Sequence, residues 1–102
     1  MRNLKFTVSK QILTQDPKCD FSGLICGTKG YLQAVFKLDQ EWSGCKIAAS
    51  FWKYGKEYAV PVINGRCMVP DEAAEVTAFE VSLTGLKNGY KITTNRLKVV
   101  QK

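Results

Sequence analysis

Apolar and polar residues alternate with a period of two along most of this chain, the pattern of strands buried on one face. Near the amino terminus Leu4, Phe6 and Val8 alternate with Lys5, Thr7 and Ser9. In YLQAVFKL, Leu32, Ala34, Phe36 and Leu38 share one face, and Tyr31, Gln33, Val35 and Lys37 share the other. In CKIAASFWK, Cys45, Ile47, Ala49 and Phe51 oppose Lys46, Ala48, Ser50 and Trp52. Further alternations run through Tyr58, Val60 and Val62, through Phe79, Val81 and Leu83, and through Leu97 and Val99.

Turn chemistry falls between these runs. Asn64-Gly65 and Asn88-Gly89 each predict a two-residue hairpin, because both residue types tolerate positive φ. Tyr54-Gly55-Lys56 predicts a third reversal, and Gly27 to Gly30 breaks the chain before Tyr31. Pro61 inside a strand pattern predicts an edge or bulged strand, since proline cannot donate to a ladder. Only PDEAAEV, residues 70–76, carries helix formers, and it predicts a single turn. About seven to eight strands with closely spaced turns predict an all-β fold, an antiparallel β-sandwich or small barrel. With 102 residues and no linker or repeat, residues 1–102 are expected to form one domain.

Composition narrows the function classes. A charged share of 24% beside a hydrophobic share of 45% argues for a folded domain rather than a disordered one. No apolar run approaches the roughly 20 residues of a membrane helix, and MRNLKFTVSK has no signal-peptide core, so a soluble protein made in the cytoplasm is expected. The net charge of +6 permits nucleic acid, an anionic surface or an acidic partner, but the basic residues are scattered, which favours a solvated surface.

Candidate chemistry is sparse. The chain has no histidine, which removes the usual Ser-His-Asp and Cys-His pairs. Cys19, Cys26, Cys45 and Cys67 include no C-x-x-C spacing, so neither a metal nor a cofactor is expected. Free thiols are the expected state; Cys19 and Cys26 would bridge only in an oxidising setting. Two carboxylate groupings, Asp39 with Glu41 and Asp71 with Glu72 and Glu75, lie in turn-like contexts and read as solvated or structural. The GTKG run at 27–30 lacks the strand-to-helix setting of a phosphate loop. No enzyme is expected.

The aromatic residues carry the binding readings. If Phe51 faces the core, Trp52 and Tyr54 face away from it, and an exposed apolar pair predicts an interface. Tyr31, Trp52 and Tyr54 are the candidate contact residues, for a neighbouring protein or for further copies of this chain as a homo-oligomer. One alternative is a carbohydrate-binding module in which Trp42, Trp52 or Tyr31 stacks on a sugar ring. A lesser one is a basic single-strand binder using Trp52 with Lys53, Tyr54 and Lys56, or Tyr90 with Lys91, although such aromatics also fill sandwich cores.

Several segments in order resemble a known family. LKFTVSKQIL, YLQAVFKL, EWSGCKIAASF, EYAVPV, RCMVP, FEVSLTG and ITTNRLKV are similar in order and spacing to the amino-terminal domain of upper baseplate proteins (BppU-type) of phages that infect Gram-positive bacteria. The resemblance spans roughly residues 4 to 100, and its motifs are W-x-G, C-x-V-P and I-T-T-N. The residues that carry it are Trp42, Gly44, Cys67, Pro70, Gly85, Thr93, Thr94 and Asn95. It implies an immunoglobulin-like sandwich that anchors a tail component to the hub through protein contacts, with no catalytic residues. It also implies a place in the tail of the virion after assembly in the host cytoplasm. The same residues have structural readings: Trp42 as a buried indole beside a turn at Gly44, Pro70 as a strand terminator, and Thr93 to Asn95 as a turn satisfying backbone groups.

Overall fold

The computed structural model describes residues 1–102 as two packed β-sheets. Sheet A has the order β2-β1-β3-β6, built from β1 (Arg2–Ser9), β2 (Ile12–Gln15), β3 (Leu32–Leu38) and β6 (Arg66–Met68). Sheet B has the order β5-β4-β7-β8, built from β4 (Lys46–Lys53), β5 (Lys56–Val62), β7 (Ala78–Lys87) and β8 (Tyr90–Thr93). The free side of β7 is shared: β8 pairs with its end at Thr84–Lys87, and β9 (Leu97–Val100) pairs with its start at Ala78–Val81.

The period-two pattern decides what lies between the sheets. Leu4, Phe6, Val8, Leu32, Ala34 and Phe36 come from sheet A, and Ala49, Phe51, Phe79, Val81, Leu83 and Val99 come from sheet B; all are buried. Phe6 and Phe36 are direct cross-strand neighbours and stack with centroids 5.2 Å apart. Phe51 sits 6.1 Å from Phe79 at a tilt, which fills the sheet B side of the core.

The sandwich is thus the expected one, with two differences of detail. It has nine strands, because β2 is a strand of its own. That strand is four residues long with only Leu13 buried, and the turn before it uses Lys10 and Gln11 rather than Asn or Gly. It is also not wholly antiparallel. β1 and β3 run parallel over Arg2–Val8 and Leu32–Leu38, and alternation looks the same in either direction. β2 carries the chain back to the starting end of β1, and residues 16–31 then pass across that end to reach β3 on the other side. Leu24 is buried, Phe21 meets Phe6 edge-on at 5.4 Å, and the amides of Cys26 and Gly27 donate to the carbonyls of Lys102 and Ala74.

The turns follow their residues. Asn64 and Gly65 have φ of 54° and 75°, and Asn88 and Gly89 have 42° and 86°, as a type I′ reversal needs. The first of these turns is not an ordinary hairpin. Only Ile63 and Arg66 bridge, and the chain leaves sheet B after β5 to pair as β6 with β3 of sheet A. β5 is the edge strand that Pro61 implied. The one helical turn, α1, spans Asp71–Ala74, with Pro70 as its cap residue and Ala73 and Ala74 buried beneath it.

Candidate interaction surface on sheet B

Antiparallel pairing places even-numbered residues of β4 and β7 on the outer face of sheet B. Ser50 pairs with Ser82, and Trp52 lies between Glu57 of β5 and Glu80 of β7. Trp52 does face away from the core, but it is not free. Its Nε1 donates to Ser82 Oγ at 3.1 Å, and the Arg96 guanidinium lies 3.5 Å from its ring centroid. Arg96 is itself 4.0 Å from a Glu80 oxygen, so the cation that covers the indole is held by a carboxylate beside it. Partly buried in this way, Trp52 is corrected from a free contact residue to one layer of a cross-strand stack.

Tyr54 is different. It is 83% exposed and occupies the first turn position between β4 and β5 with φ 49°. Left-handed backbone is ordinary for Asn or Gly and strained for a bulky aromatic. Two other two-residue turns of this chain use Asn at that position. Trp52 and Tyr54 line one shallow hollow of about 310 Å³ with Ala78, Phe79, Glu80 and Lys98. Tyr31 lies elsewhere. It is exposed at the entry to β3 and lines a separate hollow with Arg2, Leu24, Ile25 and Thr28. The three expected contact residues therefore do not form one patch.

The family-like motif residues occupy joints of the sandwich. Trp42 ends a 3-10 turn, Gln40–Trp42, capped by the Asp39 carboxylate accepting from the Glu41 amide. Its ring is 2% exposed, donates from Nε1 to the Lys10 carbonyl at 2.7 Å, and lies against Gly85 of β7. A sugar cannot stack on it, and that expectation is withdrawn. Gly44 takes φ 79° directly after this turn. Thr94 Oγ1 accepts from the Leu83 amide at 2.9 Å, and the Asn95 side chain both accepts from and donates to the backbone of Leu13. Thr93 is a residue of β8 whose carbonyl accepts from Gln11 Nε2.

The remaining polar candidates have local tasks. Asp71 accepts from the Gly30 amide, and Glu75 pairs with Lys53, which lowers the Glu75 carboxyl and raises the Lys53 ammonium relative to their ordinary values. That ion pair also removes Lys53 from the cationic set expected around Trp52. Tyr90 is half exposed, but its hydroxyl donates to the Glu41 carbonyl at 3.2 Å. Contact with the Cys45 thiol holds that phenol above its usual range. No three Cys, Asp or Glu side chains stand close enough to hold a metal ion, and no helix is long and apolar enough to cross a membrane.

All four cysteines are free thiols, and only Cys67 is buried. Cys67 is 8% exposed, and burial pushes its thiol up to about 12 from an ordinary 9.0. The unfolded chain therefore releases this proton first, so stability falls as pH rises above about 9, by up to about 1.4 kcal/mol per pH unit. Chemical denaturation between pH 8 and 11 is expected to show that slope in the wild type. The slope should shrink in Cys67→Ala, even though that variant starts less stable.

Sequence reasoning missed Arg96 and Ser82, the two partners of Trp52. Neither is within a residue or two of it in sequence; Ser82 comes from the neighbouring strand β7 and Arg96 from the segment just before β9. It also missed a second hollow of about 320 Å³ on the same sheet, lined by Ile47, Ala48, Ala59, Val60, Pro61 and Leu86 among others. Comparison of this chain with protein-family models, with curated proteins and with solved structures returned no match.

Proposed function

We propose that this chain is a non-catalytic structural component of a phage or prophage tail or baseplate, acting through protein–protein contacts. The observation that carries the reading is Tyr54. A large aromatic side chain 83% exposed on a left-handed turn residue adds little to the core, and such strain at a surface points to a contact made there. The ordered motif residues support the family-level part of the reading. Trp42, Gly85, Thr94 and Asn95 each hold a joint of the sandwich, which is the kind of position that keeps its residue type among relatives sharing a fold. Baseplate domains of the resembled family work by docking, and the side-chain arrangement described above suits docking better than turnover. The carbohydrate reading is left with Tyr31 alone, because Trp42 is buried and the Trp52 indole is covered by Arg96.

Immunogold labelling of particles released by the source cells tests the assignment. Gold at the tail tip is the expected result. Particles without label, from cells whose cytoplasm holds the chain, would overturn it.

A further inference from the structure

We propose that the outer face of sheet B, at the end opposite Tyr54, is a docking groove for an acidic peptide segment of a partner protein that inserts an aliphatic side chain. The inference rests on the assembly reading above and names the partner's chemistry. Two hollows meet there, and they share Lys46 and Leu86. The first, of about 320 Å³, has an almost wholly apolar floor of Ala48, Ala59, Pro61 and the exposed Leu86. The second, of about 470 Å³, runs under the β7–β8 turn and carries Lys46, Lys87 and Lys91.

No carboxylate lines either hollow, and the chain's two ion pairs, Lys53–Glu75 and Arg96–Glu80, lie elsewhere. Lys87 donates to the Ser43 carbonyl at 2.9 Å, which fixes its ammonium at the rim. Three cations without counter-charges beside an apolar floor fit an occupant carrying carboxylates next to an aliphatic side chain.

The other occupants fit less of this surface. A second copy would bring the same lysines against these, in a chain of net charge +6. A nucleic acid would use the cations but find no aromatic platform on the apolar floor, and the one aromatic of the lysine-bearing hollow, Tyr90, has its hydroxyl tied to Glu41. Strand addition at the neighbouring edge is blocked where Pro61 offers no N–H. Insertion of side chains into the groove is the mode that remains.

The test is an amide-resolved NMR titration of the whole chain with a short peptide of one leucine flanked by glutamates. Saturable shifts centred on Ala48, Ala59, Leu86 and Lys91 are expected. The double variant Lys46→Glu/Lys91→Glu, altered only at exposed positions, should bind about tenfold more weakly while its spectrum stays folded. Besides the absence of any binding, three results would overturn the proposal. They are equal binding of the same peptide with serine for leucine, shifts lying away from the groove, or tighter binding of oligothymidylate at the same residues. Self-association of the double variant, read separately by light scattering, keeps the two claims apart. A groove that binds nothing in a chain that still assembles through Tyr54 would sink this inference and leave the assembly reading standing.

Discussion

Trp42→Ala is expected to lower stability by about 3–5 kcal/mol, enough to unfold much of the population of a domain whose total stability is roughly 5–15 kcal/mol. The indole is 2% exposed, and three parts of the chain meet on it. Its N–H holds the Lys10 carbonyl in the β1–β2 turn, its own backbone ends the turn capped by Asp39, and its ring lies on Gly85 of β7. Deleting the ring opens a cavity and leaves the Lys10 carbonyl without its partner.

Gly85 is the complementary half of this joint. A Cβ built there would sit 2.9 Å from Trp42 Cζ3, 3.0 Å from Cε3 and 3.2 Å from Cys45 Cβ. The obstacle is a buried ring, which cannot swing aside as a surface chain can. Gly85→Ala is therefore expected to cost about 1–3 kcal/mol by overpacking. Because Trp42→Ala removes the same clash, the double variant should lose less than the sum of the singles. Urea denaturation of the four proteins checks this, and strict additivity would show that the ring does not rest on Gly85.

Asn95→Ala is expected to cost about 1–3 kcal/mol, more than an exposed asparagine ordinarily would. β2 has β1 on one side only, and Asn95 serves the other side as a strand would. Its Oδ1 accepts from the Leu13 amide at 2.7 Å, its Nδ2 donates to the Leu13 carbonyl at 3.2 Å, and its own amide donates to Gln11. Leu13 is fully buried, so its backbone groups have poor access to water. Hydrogen exchange at the Leu13 amide should quicken in Asn95→Ala by about the factor that the stability loss implies. Asn95→Asp should fall between, since it keeps the acceptor and loses the donor.

These two joints show where the sequence was legible. Alternation placed Phe6, Phe36, Phe51 and Val81 in the core, and Asn-Gly pairs placed two reversals, because both signals are local. The parallel pairing of β1 with β3 was not legible, since register between distant strands leaves no mark on either one alone. Trp52 shows the same limit. Its outward direction could be read from Phe51, but its cover depends on Arg96 and Ser82 arriving from two other parts of the chain. Tyr31, Trp52 and Tyr54 were each readable as outward aromatics, and only the fold shows that they do not share one surface. The Lys46–Leu86 groove escaped for a related reason: its floor is made of alanines and a proline from two strands, none of which stands out in sequence.

The central claim, that this domain works by presenting a contact surface at Tyr54, is tested most directly by light scattering across concentration and salt, on the wild type and on Tyr54→Asn. Asparagine suits the left-handed turn better than tyrosine, so the variant should fold at least as stably. The account predicts a salt-insensitive oligomer for the wild type and its loss in Tyr54→Asn. A wild type that stays monomeric at every concentration, or an oligomer that salt dissolves and Tyr54→Asn leaves intact, would contradict it.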